Sequence, residues 1–496
     1  MLMKNRNRLI TMLVATAIIL LQMQFVLAPA IDMSPQTTSP EIVITLDRGQ
    51  MMGTNSMSLG FMLDNEWPGY VSRSARQDLA REANFAGLIR VFDYRSGNPN
   101  PCIHWNESGK VGTFDWAGVD LLVQTIYATG AEPMFVLGGY SGSGGPRIPS
   151  GMAVNPVTNL PYPDSFASYA SEWVRHFKAS QFPVRYYEIV NEPWAYFGWE
   201  HVDFAKLGNY MQLFNAVTSS MRRENSDLMI SQDFIGSKQV LDYWLTHGGA
   251  DVDSINIHKY GASIVGQRTD AEMFQFAEKE YFGTWPLGQS IEEARQAWFR
   301  ARGKLLPMII SEYNFNSASA QGTDPKIQQM AGAVWTALVL RMSVLAGVRQ
   351  AVYYSYSGSA SWGMKNTYTG AGFGMVNGDN DYPWYQYYVH YMLGNNLGVG
   401  DAIVGTTSSS EDVRALAWIH NEKLNILLIC KVDEPRIVRI EGLEGELKLL
   451  RIDNSIPWQT PAMQTNGIKS EEPLVINGYT VALLEGQVPL LVQRRT

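Results

Sequence analysis

Only two cysteines, Cys102 and Cys430, occur in 496 residues. That scarcity excludes a disulfide scaffold, and no Cys-His spacing of the metal-binding kind is present. The two lie in segments assigned below to different domains, so one interdomain disulfide and two unpaired thiols are both compatible with the sequence. Positive charge is also in short supply: 39 Lys and Arg against 47 Asp and Glu leave a net charge of −8. Residues 1–30 hold Lys4, Arg6 and Arg8 and no acid, so the chain beyond them carries −11. A body of that charge repels nucleic acid and anionic membrane surfaces, and a neutral partner suits it better. No glycine fingerprint for a dinucleotide follows the first predicted strand, which argues against an open nucleotide-binding sheet. Nor is there a disordered bias, since 46% of the residues are hydrophobic and 17% charged.

What the chain does have begins with a basic start and an apolar run from Leu9 to about Ala28, ending on Ala28-Pro29-Ala30. This is the pattern of an export signal, with an uncleaved membrane anchor as the alternative. The expectation is an extracellular or cell-surface protein that meets a membrane only through that segment. Residues 31–40 read as a polar linker. Aromatics are abundant, 14 Trp and 24 Tyr, as suits either core packing or stacking against a flat ligand.

From residue 56 to 399 short apolar runs alternate with amphipathic stretches. Strands are predicted at 58–63, 88–94, 131–139, 184–192, 228–236, 254–260, 307–315 and 350–358. Each precedes a helical pattern, the one at 290–303 opening on a capping box of Ser290 and Glu293. Apolar strands buried on both faces imply a parallel sheet, and eight strand–helix units imply a closed (β/α)8 TIM barrel. Residues 400–496 change period: short strands follow one another without helices, as in an all-β sandwich. The stretch 41–55 has the same strand character and can pair into that C-terminal sheet. The fold class is therefore α/β, a TIM barrel followed by a β-sandwich.

Two barrel strands run into a carboxylate. The fourth, YYEIVNEP, ends on Asn191-Glu192-Pro193, and the seventh, PMIISEYN, ends on Glu312. The C-terminal strand ends form the working face of such a barrel. Two carboxylates facing one another there are what glycosidic bond cleavage needs: one protonates the leaving oxygen, and the other attacks the anomeric carbon or activates a water. A lone strand-end Glu is usually a salt-bridging group; a pair on strands four and seven is not so easily explained.

Those motifs resemble the acid/base and nucleophile motifs of the retaining glycoside hydrolases of clan A, and a sandwich after the barrel is similar to family 39 and its relatives. The resemblance covers roughly residues 50–400. It implies Glu192 as general acid/base, Glu312 as nucleophile and Asn191 as a ligand of the sugar 2-hydroxyl. It also implies that Arg90, on the second strand, steadies the nucleophile; a plain interior ion pair with Glu188 is the other reading. His258 and Tyr260, two apart and so on one face of their strand, match a His-x-Tyr of the clan whose tyrosine bonds the nucleophile. Trp194 and Trp362 suit sugar platforms or ordinary packing, and Tyr313, Tyr354 and Tyr356 are weaker candidates.

The third strand ends LGGYSGSGG, without the histidine several families carry there. The insertion 261–289 holds Asp270, Glu272, Glu278 and Glu280, which a solvated helix face explains better than a metal site. The function expected is an exported retaining β-glycosidase acting on a polysaccharide or its oligosaccharides, with no metal or organic cofactor required. The alternatives are a non-catalytic carbohydrate-binding barrel and a transglycosylase on the same scaffold.

Overall fold

The computed structural model describes residues 40–64, 67–93, 100–140, 146–198, 201–234, 237–279, 291–317, 324–358, 372–443, 445–456, 464–469 and 472–487. The expected export segment, the linker up to residue 39, Ser290 of the capping box and Trp362 lie outside these residues. Among the described residues no helix is long and apolar enough to cross a membrane.

Eight parallel strands close on themselves. In order they are Ser58–Leu63, Leu88–Phe92, Glu132–Tyr140, Tyr186–Asn191, Met229–Asp233, Ser254–Ala262, Met308–Asn316 and Gln350–Tyr353. Each pairs with the next, and the eighth pairs with the first through Gln350 opposite Ser58 and Tyr353 opposite Phe61. Both faces of these strands are enclosed, which is why they read as apolar runs and not as alternations. Helices run back between them, and their ends follow local chemistry. Pro163 opens Pro163–Lys178, where a missing N–H costs nothing, and the Asp203 carboxylate caps Phe204–Glu224 by accepting from the amides of Ala205 and Lys206.

One helix departs from the amphipathic rule. Met330–Leu345 is buried on nearly every side. It lies between the barrel and the C-terminal sheet, and Arg341 Nε donates to the carbonyl of Ala415 in that sheet at 2.8 Å. A helix covered on both sides has no wet face to keep polar.

The C-terminal part is a nine-stranded, mostly antiparallel sheet. The N-terminal strand Ile42–Thr54 belongs to it, antiparallel to Ala402–Ser408 and parallel to Arg436–Glu441. Strand alternation divides its side chains between two cores. Leu416, Trp418, Leu427, Ile429 and Leu483 join the core of the barrel. Ala415, Ala417, Ile426, Leu428 and Leu484 meet Ile42, Ile44 and Leu46 in a second core as the sheet folds over itself. Cys102 and Cys430 are both buried free thiols, which removes the interdomain disulfide.

The insertion after the sixth strand does not present a uniformly solvated acidic face. Its helix Asp270–Ala277 starts on a capping box of Thr269 and Glu272. Asp270 pairs with Lys326 at 2.6 Å and accepts from Tyr479 Oη at 3.1 Å. Glu278, just past the helix, binds Arg414 and, at 2.8 Å, Lys431, both on the sheet side. Charges at a domain seam pair across it when the seam excludes water. Replacing Glu278 by Gln leaves two neighbouring cations without their shared anion; at this partial burial the cost should be about 1–3 kcal/mol. Thermal unfolding should show Glu278→Gln melting several degrees below wild type, and an unchanged melt would mean the seam does not depend on this ion triad.

Candidate active site

The mouth of the barrel is built from strand ends. The fourth strand carries Glu188, Asn191 and Glu192, and its backbone is bent to do so: Val190 and Glu192 take φ of 65° and 46°. Left-handed backbone is uncommon for non-glycine residues and an outlier for a β-branched one, at a cost of roughly 1–3 kcal/mol each. The sixth and seventh strands pair in register up to Ile257 opposite Ile310, then shift so that His258 faces Glu312. The extra residue, Ser311, makes a bulge that re-aims Glu312.

Glu312 is buried, with its side chain 6% exposed, and both of its oxygens are held. Oε1 accepts from Arg90 Nη1 at 2.6 Å, and Oε2 accepts from Tyr260 Oη at 2.5 Å, with His258 Nδ1 3.5 Å away. Burial alone would raise its pKa. The charges of His258 and Arg90 and the hydrogen bonds of Tyr260 and Arg90 outweigh burial, so the group stays below the usual carboxylate range. Burial and the adjacent Glu312 charge push Tyr260 well above its ordinary value, so its hydroxyl keeps the proton it donates.

Glu192 is differently placed. Its side chain is 31% exposed, and one oxygen accepts from His258 Nδ1 at 2.9 Å. Burial would lower the pKa of His258, but the charges of Glu312 and Asp233 and the bond to Glu192 raise it to about 10. The imidazole is therefore an imidazolium at neutral pH, wedged between the two glutamates. One carboxylate oxygen of each glutamate and a ring nitrogen of His258 lie within 4.8 Å of one another.

Beneath them sits Arg90, fully buried on the second strand. Besides Glu312 it donates to Glu188 through Nη2 at 2.7 Å and Nε at 3.2 Å, and to Asn191 Oδ1 through Nη2 at 2.6 Å. Burial opposes its charge, but Glu188 and Glu312 raise its pKa further above the ordinary value. Both readings of Arg90 thus hold at once: it pairs with Glu188 and it touches Glu312. With Oδ1 of Asn191 tied to Arg90, the capacity that amide retains is its Nδ2 donor.

The structure brings together Arg90, Asn191, Glu192, His258, Tyr260 and Glu312. Trp194 opens the short helix Trp194–Phe197 and packs, partly buried, against the barrel core. Tyr313 and Tyr356 point away, into packing, with their hydroxyls on His390 and the carbonyl of Arg76. Tyr354 stays near the site, edge-on to Tyr260 and bonded to Asp64 at 2.7 Å. Near the end of the third strand stands Gly138. Its φ is 77° and a Cβ there would lie 2.7 Å from the Phe166 ring, so only glycine fits. Its amide donates to Asp93 Oδ1 at 2.9 Å.

The sequence reading passed over Asn256 and Asp233 and treated Glu188 only as a counter-ion. The available signal was a polar residue inside an otherwise apolar buried strand, which has to find a partner. Glu192, His258 and Glu312 are also spaced as metal ligands can be. A cation there would compete with the donors already on the Glu312 oxygens, Arg90 on one and Tyr260 on the other, and with the proton that His258 holds. The donor set suits proton transfer and attack on a neutral ligand better.

No protein-family model matches the sequence, and no curated protein sequence matches it. Solved structures do match. The chain is similar to a family-39 β-xylosidase from Caulobacter crescentus, at 16% identity and TM-score 0.58 over 90% of this chain and 100% of that one. A glucosidase from Croceicoccus marinus matches at 13% identity and TM-score 0.61, over 90% and 99%. A family-39 enzyme from Xanthomonas axonopodis pv. citri matches at 14% and 0.58, over 92% and 100%. The chain has the fold of these enzymes over about nine-tenths of its length, which takes in the barrel and the appended sheet.

His258 binds its proton more tightly in the folded chain than in the unfolded one, where its pKa is about 6.5. The stability this contributes is complete below about pH 6.5 and is lost as pH rises through about 10. Melting temperatures across that window should fall more steeply for wild type than for His258→Gln. Parallel profiles would show that the imidazole is not held protonated between the glutamates.

Proposed function

We propose that this protein is a retaining β-glycosidase that works by double displacement. The observation that carries the reading is the close approach of Glu192 and Glu312, with one oxygen of each within 4.8 Å. So close an approach of two oxygens supports the roughly 5–5.5 Å carboxyl separation of retaining sites over the roughly 6.5–9.5 Å of inverting ones, which must admit a water.

In the first step Glu312, ionised and held by Arg90 and Tyr260, attacks the anomeric carbon. The bond to the aglycone oxygen breaks as Glu192 delivers its proton to that oxygen. The sugar is left as an ester on Glu312. Glu192, now a carboxylate, takes a proton from an incoming water whose oxygen attacks the same carbon, and Glu312 leaves. Two inversions give net retention, and both glutamates return to their starting states. Asn191 Nδ2 is oriented by Arg90 to meet the sugar 2-hydroxyl, a contact that strengthens as positive charge grows on the ring.

The names of the structural neighbours, a β-xylosidase and a glucosidase among them, support a carbohydrate substrate. The acidic chain beyond residue 30 supports a neutral one. The basic-then-apolar start supports export, which puts such an enzyme where polysaccharide is found.

Reducing-sugar release from β-glucans, xylans, mannans and galactans should occur with wild type. It should drop by a factor on the order of 10²–10⁴ in Glu192→Gln, and at least as far in Glu312→Gln. Proton NMR of the first product should show the β-anomer. An α-anomer would defeat double displacement, activity surviving either substitution would defeat the assignment, and products longer than the substrate would mark transfer to sugar in place of water.

A further inference from the structure

Glu188 takes no part in those steps, yet it is fully buried in the barrel interior. It sits four residues before Glu192, in the layer just beneath the mouth. Its Oε1 accepts from Arg90 Nη2 at 2.7 Å, and its Oε2 accepts from Arg90 Nε at 3.2 Å and from Asn256 Nδ2 at 2.7 Å. Asn256 is braced in turn against Ser231 Oγ at 3.0 Å. The carboxylate therefore grips the Nε–Nη2 edge of the guanidinium. A planar fork held on that edge has no freedom to turn. Nη1 is left aimed at Glu312, and the second hydrogen of Nη2 at Asn191.

Stability is a poor reason for this acid. A buried ion pair gains little over apolar packing of the same volume, and here one cation is shared by two buried anions. Positioning is a better one. We propose that Glu188 is a positioning residue for the nucleophile: it fixes the plane of Arg90 and draws off part of its charge, so that Glu312 is oriented without being over-stabilised. The inference rests on the double-displacement reading for its meaning in catalysis, and on the hydrogen bonds alone for its geometry.

The charged and titratable groups around Glu312 come from several strands: Arg90 from the second, Glu188 and Glu192 from the fourth, Asp233 from the fifth, and His258 and Tyr260 from the sixth. Tyr354 and Asp64 stand behind Tyr260. Glu188 is an acid among them that bonds Arg90 directly and is not itself a group placed to meet the substrate.

The test uses Glu188→Gln and Glu188→Asp in the full chain. With 13C-labelled glutamate, the Glu312 signal is assigned by its loss in Glu312→Gln and titrated without substrate. In Glu188→Gln the full Arg90 charge falls on Glu312, so its midpoint should drop by about one pH unit. The acid limb of kcat/KM should move with it, and kcat should fall about 10-fold. Glu188→Asp keeps the charge but is too short to hold both nitrogens, so the midpoint should stay while kcat falls. An unmoved midpoint in Glu188→Gln, or a Glu188→Asp enzyme with wild-type kcat and KM, would overturn the proposal. If Glu188→Gln does not fold, the Glu188→Asp kinetics decide. A wild type that releases no sugar would refute the glycosidase reading instead, and the substrate-free titration would still report on Glu188.

Discussion

The site depends on one buried cation. Arg90 stands in the dry interior of the barrel with a carboxylate on either side, Glu188 below and Glu312 above. An unpaired guanidinium could not remain there, because an uncompensated buried charge costs several kcal/mol. Each acid is in turn held by neutral donors, Asn256 on Glu188 and Tyr260 on Glu312. The network is satisfied along its length, the condition under which buried polar groups rigidify a core and do not weaken it. It replaces an apolar layer of the barrel, so the floor of the site is built into the fold itself.

The C-terminal sheet belongs to the same construction. The apolar helix Met330–Leu345 follows the strand that bears Glu312, and the sheet covers its outer side through Leu416, Leu427 and Leu483. On the neighbouring unit, Lys259 lies between His258 and Tyr260 but faces outward. Its amine donates to the carbonyls of Phe276 and Lys279 at the end of the inserted helix. Glu278, in the same turn, is bound to the sheet by Arg414 and Lys431. Two of the strands that carry site residues are thus backed by elements the sheet holds down.

Much of this was legible from residue patterns. Each of the eight strands could be read from its apolar run, and most of the helices between them from their amphipathic period. Glu192 and Glu312 stood out because each ends such a run. His258 and Tyr260 followed from the period-two rule for strands. What stayed hidden was long-range. The pair of Arg90 with Glu188 and its contact with Glu312 read as alternatives, and nothing in the chain says that one guanidinium serves both and Asn191 as well. The bulge at Ser311 is a matter of register between two strands, and neither strand alone specifies it. The acids of the insertion looked solvated because their cations, Arg414 and Lys431, lie in another part of the chain.

The two glutamates are chemically identical, and their surroundings divide the labour. Glu312 is enclosed, and two donors and an imidazolium favour its charged form. Such a carboxylate stays ionised near neutrality, the state the proposed nucleophile needs. Glu192 is a third exposed and is held by His258 alone among the described residues, so one side of it stays open to a ligand at the mouth. His258 touches one and lies 3.5 Å from the other, so its charge couples them. In the proposed double displacement Glu312 would become an ester, and the imidazolium would then lose that anionic neighbour. A change of charge at Glu312 would thus be felt at Glu192 through one imidazole fixed between them, a coupling the proposed mechanism can use.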